Sequence, residues 1–146
     1  MKNKTLTILL TFASFFLFSQ EKISIVGDWY TEDKQAIVTI YQEGNSFSGK
    51  TTWMKNPLDA NGNPKLDKLN PDKSLRLRAR LGLQIMQGFV YKGESKWEDG
   101  RIYKPTNGKT YGGTATLVDE NTLELKGHVI SLPFLSKKSK WSRKID

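Results

Sequence analysis

Cysteine is absent from this chain of 146 residues, and histidine occurs only once, as His128. Without cysteine there is no disulfide framework and no thiolate that could act as a nucleophile or as a soft metal ligand. A single histidine and the absence of a G-x-S-x-G sequence also argue against a nucleophilic triad, so a structural role is expected for His128. We therefore predict no catalytic residue.

Patterns typical of metal and cofactor binding are missing as well. Asp59, Asn61 and Asn63 offer oxygen atoms at alternate positions, as calcium loops do. However, Pro64 stands at the sixth place of such a loop, where an EF-hand needs glycine, and Asn70 stands at the twelfth, where it needs glutamate. We predict a turn-rich loop here, with no metal site and no cofactor.

Basic residues outnumber acidic ones and give a formal net charge of +8, but they do not form a nucleic-acid motif. Arg76, Arg78 and Arg80 alternate with leucines and have no aromatic neighbours on which bases could stack. A solvated surface is expected instead, with no nucleic-acid partner. Paired carboxylates, which glycosidases need, keep an envelope-glycan or lipid-modifying enzyme open as a further alternative.

Long apolar runs are also lacking, except for residues 6–18. This run follows Lys2 and Lys4 and precedes the small residue Ser19, which is the layout of a secretory signal peptide. It is shorter than the roughly 20 apolar residues needed to span a membrane. We predict a signal peptide over residues 1–19 and one exported domain over residues 20–146, without a transmembrane span, in the periplasm or secreted.

The predicted mature chain consists mainly of short segments in which apolar and polar residues alternate. Such period-2 alternation, interrupted by Gly, Asn and Asp, is typical of half-buried antiparallel strands. The segments are 25–30, 36–41, 46–54, 83–91, the meander 97–117, 122–129 and 132–143. Because they number about eight and are joined mostly by short turns, we predict an all-β, up-and-down antiparallel barrel.

The meander 97–117 holds two hairpin signals, Asp99-Gly100 and Asn107-Gly108. Taken as the central pairs of type I′ turns, they predict that Trp97 lies opposite Ile102 in the first hairpin. Because faces alternate along a strand, both turns predict the same inward set. Its members are Trp97, Ile102, Tyr111, Gly113, Ala115 and Leu117.

One long connection interrupts the meander. Residues 56–72 contain three prolines and several asparagines, and they end in Asn70-Pro71-Asp72, which resembles a helix start. We predict one short helix over residues 73–80, capped by Asn70 and ended by Gly82. A loop this long in a compact domain is often functional, so we expect it to cover or border one mouth of the barrel.

The two ends of the chain indicate how the barrel closes. Gly27-Asp28-Trp29 stands in the first strand, and Trp141-Ser142-Arg143 stands in the last. A guanidinium stacked on an indole face would join the first and last strands and plug one end. The arrangement resembles that of lipocalins and fatty-acid-binding proteins, together the calycins, so Gly27, Trp29, Trp141 and Arg143 are predicted closure residues.

The chain from residue 27 to 143 also resembles a family of small exported bacterial proteins, domain of unknown function 2147. The resemblance implies export and a calycin-like barrel, and it implies no catalytic residue. It rests on Gly27-Asp28-Trp29, Gly49-Lys50 with Trp53, Asp67 with Asn70-Pro71, Leu75 with Arg78, Gly82-Leu83, Trp97-Glu98-Asp99-Gly100 with Tyr103 and Pro105, Gly108-Lys109-Thr110-Tyr111, Leu123-Glu124-Leu125-Lys126-Gly127, and Trp141 with Arg143.

A ligand site is predicted at Trp53, Lys104, Lys109 and Tyr111. The second turn places Lys104 opposite Tyr111, and both lysines have inward parity, which suits a charge only at a barrel end. The predicted function is a non-catalytic binder of a small amphipathic, anionic or lipid-like ligand. The alternative is an envelope structural or interaction protein with a filled barrel, since a barrel of this size either fills its interior or keeps one cavity. Both lysines could instead extend to solvent.

Overall fold

A computed structural model describes residues 24–146, so the predicted signal peptide over residues 1–19 lies outside the described residues. Eight antiparallel strands form a closed barrel in which each strand pairs with the next and the last pairs with the first. The predicted all-β up-and-down barrel is therefore confirmed. The strands are β1 (Gly27–Tyr30), β2 (Ala36–Glu43), β3 (Ser46–Met54), β4 (Gln84–Gly93), β5 (Lys96–Lys104), β6 (Lys109–Asp119), β7 (Thr122–Val129) and β8 (Leu132–Arg143).

The barrel has two different ends, which we call the closed end and the mouth. The closed end carries the short β2–β3, β4–β5 and β6–β7 turns and the segment 24–26 that leads into β1. The mouth carries the β1–β2, β5–β6 and β7–β8 connections and the long β3–β4 loop over residues 55–83. None of the helices within residues 24–146 is both long enough and apolar enough to cross a membrane.

The hydrophobic core occupies the half of the barrel next to the closed end. Four aromatic side chains dominate it, Trp29, Phe89, Trp97 and Trp141, and the half-buried Phe47 packs edge to face on Trp97, with 6.0 Å between their ring centroids. Aliphatic side chains from almost every strand complete the cluster. Its buried members are Ile25, Trp29, Val38, Ile40, Met86, Phe89, Trp97, Ala115, Leu117, Leu123, Leu125 and Trp141.

The predicted turn at Asp99-Gly100 is wrong, because this pair lies inside β5. The β4–β5 turn instead uses Glu94 and Ser95, whose φ angles of 50° and 58° suit a type I′ turn. Asp99, with φ 62°, forms a bulge, since the pairing of β5 with β6 shifts register between Trp97 and Gly100. Trp97 therefore lies opposite Tyr91 and Ala115, not Ile102.

The bulge nevertheless gives the inward face that the wrong turn predicted. Trp97 and Ile102 are five positions apart, so a regular strand would place them on opposite faces. The extra residue restores a common face, and Trp97 belongs to the buried core while Ile102 packs against it. It also admits Phe89, whose ring would lie only 2.4 Å from a Cβ added at Gly100.

The β5–β6 turn is longer than predicted. Lys104 pairs with Lys109, and the four residues 105–108 form the connection, with Gly108 at φ 70°. Ile102 therefore lies opposite Tyr111, whereas the predicted two-residue turn, which pairs Lys104 with Tyr111, would place Ile102 opposite Gly113. Because the shift is two residues, the predicted faces of β5 and β6 are unchanged.

The helix of the long loop is also shorter than predicted. It is a single 3₁₀ turn, Lys73–Leu75, and its cap is Asp72, whose carboxylate accepts from the Ser74 backbone N–H at 2.9 Å. Residues that follow are drawn away from helical geometry, because Ala79 forms a β-bridge with Leu66. A helix over residues 73–80 would break that pairing.

Candidate functional site

A cap formed by the Arg143 guanidinium, the Trp29 indole, the Ile25 carbonyl and Gly27 seals the closed end. The Arg143 guanidinium lies over the Trp29 indole, 4.2 Å from the ring centroid, and the two residues are direct partners between β1 and β8. Trp29 is fully buried, and its indole N–H donates to the Ile25 carbonyl at 2.9 Å. A Cβ added at Gly27, where φ is 134°, would lie 2.9 Å from Arg143 Nη1, so glycine leaves room for the guanidinium.

Arg143 also holds the backbone around the cap. Its guanidinium donates to three carbonyl oxygens, of Ser24 at 2.8 Å, Val26 at 3.0 Å and Glu120 at 2.6 Å. Partial burial lowers the pKa of Arg143 from its usual value, while the nearby Glu120 carboxylate acts in the opposite direction. The side chain stays charged and ties the segment before β1 to the β6–β7 turn.

At the mouth, the barrel opens into a cavity of about 840 Å³. Its floor and walls are mainly apolar and include Ile85, Ile102, Leu125 and Trp141, which border the core. This volume lies within the range of roughly 300–1,000 Å³ that is typical of small-molecule sites. The barrel is thus neither fully packed nor fully hollow, because its closed half is core and its other half is cavity.

The inward side chains of β2 and β7 become smaller toward the mouth, and this leaves room for the cavity. In β2 the order is Ile40, Val38, Ala36, and in β7 it is Leu123, Leu125, Gly127. In β8, Trp141 is followed toward the mouth by Ser139 and then by Lys137. A Cβ added at Gly127 would meet only the Tyr111 Cβ, at 3.9 Å, so this position faces free space.

The rim of the cavity carries three cations and two acids. Arg80, Lys104 and Lys137 are the cations, and Glu32 and Asp33 are the acids. Both carboxylates have partners within the protein: Glu32 accepts from the Lys140 backbone N–H, and Asp33 accepts from the Thr31 hydroxyl and the Gln35 backbone N–H. The Thr31 hydrogen bond is the main reason that the pKa of Asp33 is lowered.

The ammonium groups of Lys104 and Lys137 remain available at this rim. Among residues 24–146, neither group has an ion-pair partner. Arg80 is partly engaged, because its guanidinium donates to the carbonyls of Leu66 and Pro105. The mouth therefore combines an apolar interior with positive charge that an anionic group could neutralise.

A buried cluster around Asp67 fixes the long loop beside the mouth. The Asp67 carboxylate is fully buried and accepts from the Arg78 guanidinium at 3.2 Å, the Asn70 amide at 2.8 Å and the Tyr103 hydroxyl. Burial raises the pKa of Tyr103 to about 12, and the hydrogen bond to Asp67 acts in the same direction. The Asp67 carboxylate thus joins three side chains, Asn70 and Arg78 of the loop and Tyr103 of β5, so the cluster is an anchor that ties the loop to β5.

Two of the four predicted ligand residues line the cavity. Lys104 and Tyr111 do so, and the Tyr111 hydroxyl accepts from the Asn107 amide at 2.8 Å. Lys109, the direct partner of Lys104, lies outside the cavity and is exposed.

Trp53 also lies outside the cavity. The β2–β3 pairing shifts register between Ile37 and Val38, so Trp53 lies opposite Ile37 while Thr51 lies opposite Val38. The extra residue in β3 reverses the face of Trp53, which packs edge to face on Tyr30, with 6.3 Å between ring centroids. Met54, which lies opposite Ala36, lines the cavity beyond Thr51 in place of Trp53.

Most of the cavity was missed by the sequence reasoning. Arg80 was interpreted as surface, and Trp141 was assigned to the closure although it is buried between the core and the cavity. One signal could have indicated the void: the inward side chains of β2 and β7 become smaller toward the same end of the barrel, and Trp141 in β8 is followed there by Ser139. No sequence signal places Arg80 at the rim, because the long loop that carries it has no regular period.

The fold is similar to that of a solved lipocalin. Protein HP1028 from the human pathogen Helicobacter pylori, which belongs to the lipocalin family, superposes with a TM-score of 0.72 at 23% identity, over 84% of each chain. A redesigned β-barrel matches less well, with a TM-score of 0.43 and 14% identity, over 83% of this chain and 91% of that one. No curated protein matches the sequence. The first likeness shows a calycin-like barrel.

The sequence itself matches a family model over nearly all of the barrel. The matched residues, 27–143, run from the glycine of the cap in β1 to the arginine of the cap in β8. The family is described as uncharacterised proteins conserved in bacteria. The protein therefore belongs to the DUF2147 family, and it has the calycin-like barrel expected from the resemblance.

Proposed function

We propose that the protein is a non-catalytic binder of a small amphipathic anion, which it takes up in the cavity at the mouth of the barrel. The observation that carries this proposal is the void of about 840 Å³, apolar within and bordered by the ammonium groups of Lys104 and Lys137, which have no ion-pair partner among residues 24–146. A barrel filled with side chains, the structural alternative, would have no such space. The lipocalin-like fold is compatible with this role.

The cavity suits a ligand with an apolar body and an anionic head. Its inner wall, at Ile85, Ile102 and Leu125, can cover a hydrocarbon chain and remove it from water. The head would then lie at the rim beside Lys104, where a carboxylate gains a charge-assisted hydrogen bond. We also propose that the protein works outside the cytoplasm, because of the signal-peptide layout of residues 1–19.

Paired ligands test the charge at the rim. Isothermal titration calorimetry would compare dodecanoate with dodecanol, which have the same chain but differ in the charge of the head. Lys104→Ala should weaken dodecanoate binding by about two- to fivefold, as expected for one exposed charge, and leave dodecanol unchanged. Lys109→Ala is the matched control, since it removes the same charge from the paired position outside the cavity. Equal effects of the two variants would contradict the assignment of the site.

A second variant tests the cavity itself. Gly127→Phe adds a ring at a position where free space begins, so it should abolish binding of both ligands while the melting temperature stays close to that of the wild type. Gly127→Ala, which adds one methyl group, should retain most of the binding. Undiminished dodecanoate binding by folded Gly127→Phe would show that the ligand does not enter the cavity. No binding of either ligand by the wild type would reject the proposed ligand class.

A further inference from the structure

The β7–β8 hairpin projects an apolar tip at the mouth of the barrel. Val129 pairs with Leu132 and His128 pairs with Ser136, so residues 133–135 bulge out of β8 without partners in β7. Phe134, in this bulge, is 78% exposed, and Leu132 beside it is also exposed. Ile130, in the turn, and Leu135 extend the same exposed apolar surface. An apolar cluster of this kind on a protein surface marks an interaction site.

Positive charge surrounds this apolar tip. The segment from residue 126 to 140 contains four lysines and no acidic residue. Lys126, Lys138 and Lys140 lie on the strands behind the tip, and Lys137 lies at the cavity rim. Apolar side chains followed by lysines match the order of layers in a bilayer surface, in which hydrocarbon lies beneath anionic head groups.

We propose that the tip of the β7–β8 hairpin docks on the surface of an anionic lipid bilayer. Phe134 and Leu132 enter the boundary between head groups and acyl chains, while the lysines contact the phosphates. Leu135 and Lys137 belong both to this hairpin and to the cavity wall, so docking places the mouth against the membrane. The inference depends only on the outer surface and holds whether or not the cavity takes a ligand.

Vesicle flotation with the mature protein tests this proposal. Vesicles of phosphatidylglycerol mixed with phosphatidylcholine should carry the protein to the top of a density gradient, and vesicles of phosphatidylcholine alone should carry much less. The double variant Leu132→Ser/Phe134→Ser should bind about a hundredfold more weakly, since each apolar side chain that is buried contributes roughly tenfold. Val118→Ser is the matched control, because Val118 is also exposed, at 58%, but lies near the closed end.

The charges are tested separately. Lys126→Gln/Lys140→Gln should weaken binding to the anionic vesicles and reduce its sensitivity to salt, and it should leave the weak binding to neutral vesicles unchanged. Lys138 is left in place, because its ammonium group pairs with Glu124 at 2.9 Å.

Several results would overturn the inference. The inference is wrong if the wild-type protein does not float with anionic vesicles. It is also wrong if Val118→Ser and the double variant lose the same amount of vesicle binding. A dimer of the wild type that Phe134→Ser converts to monomer would assign the tip to contact between two copies instead. Dodecanoate titration of the same variants distinguishes this proposal from the ligand proposal. Leu132 and Phe134 do not line the cavity, so their replacement should weaken vesicle binding and leave dodecanoate affinity unchanged.

Discussion

Replacing Trp29 with alanine should remove much of the stability of the barrel. Truncation of a buried large aromatic side chain costs about 3–5 kcal/mol. The change also leaves the Ile25 carbonyl without its 2.9 Å donor, at about 1–3 kcal/mol, and removes the ring beneath Arg143, at about 0.5–2 kcal/mol. Because the free energy of unfolding of a native domain is only about 5–15 kcal/mol, the Trp29→Ala variant should be largely unfolded or should melt at a much lower temperature than the wild type.

Two milder variants separate the parts of this effect. Trp29→Phe keeps most of the buried apolar area but removes the indole N–H, so it should lose about 1–3 kcal/mol from the unpaired Ile25 carbonyl. Arg143→Lys keeps the charge but cannot reproduce the three hydrogen bonds to carbonyl oxygens, because lysine lacks the planar fork of arginine. A double-mutant cycle between Trp29→Phe and Arg143→Met should show a coupling of about 0.5–2 kcal/mol.

The assay is equilibrium unfolding in urea, followed by circular dichroism, with the thermal melt as a second measurement. Trp53→Ala is the matched control, since it makes the same chemical change at a residue that is 42% exposed on the outer wall. We expect it to lose no more than about 1.5 kcal/mol, the aromatic-pair contribution of its contact with Tyr30. If Trp29→Ala were no less stable than Trp53→Ala, the cap could not be what closes this end.

Three more predictions concern other parts of the chain. Gly100→Ala places a Cβ 2.4 Å from the ring of Phe89 and should lose about 1–3 kcal/mol in urea unfolding, whereas Gly127→Ala should be near neutral. Because the pKa of Tyr103 is about 12 in the folded state and 10.0 ordinarily, its contribution to stability is complete below pH 10.0 and is lost as the pH rises through 12. Alkaline titration of tyrosinate absorbance should show this late step in the wild type and lack it in Tyr103→Phe, and an identical curve would refute the assignment. N-terminal sequencing of protein from the envelope fraction should begin near Gln20, and an intact leader would contradict export.

The architecture was predictable because it depends on periodicity and on the two ends of the chain. Alternation predicts strands wherever one face is buried, and the short turns between them favour an antiparallel meander. The pairing of Trp29 with Arg143 was predictable for a different reason: Gly27-Asp28-Trp29 in the first strand and Trp141-Ser142-Arg143 in the last resemble the closing pair of calycins. The periodicity is visible in one chain, whereas the closing pair was predicted from the resemblance.

The turns and bulges between and within the strands were less predictable, because the same pair of residues can form either a turn or a β-bulge. An Asp-Gly pair suits both a type I′ turn and a β-bulge with a residue at positive φ, and in this bulge Asp99 takes that conformation, with φ 62°. At Asp99-Gly100 the space required by Phe89 favours the bulge, and Phe89 lies on another strand. Trp53 was misplaced for the same reason: a bulge in β3 reverses its face, and only the pairing with β2 shows it.

The long loop shows how tertiary contacts override a local helix signal. Asn70-Pro71-Asp72 predicts a helix start, and a 3₁₀ turn does begin there. The chain then turns instead of continuing as a helix, because the buried Asp67 carboxylate binds Arg78 and the Asp67 backbone N–H donates to the Arg78 carbonyl. A buried carboxylate that loses its cationic partner is costly, so two turns of helix in this short segment do not compensate for breaking the pair.

The division of the barrel into a packed half and an open half separates stability from binding. Inward side chains near the closed end are large and fill the interior, and those near the mouth are as small as Ala36 and Gly127. A variant at the cap should therefore change the free energy of unfolding with little effect on dodecanoate affinity. A variant at Lys104 should do the reverse. Because the two halves share the same eight strands, this separation depends on which inward positions carry small side chains, as β2 shows from Ile40 to Ala36 and β7 from Leu123 to Gly127.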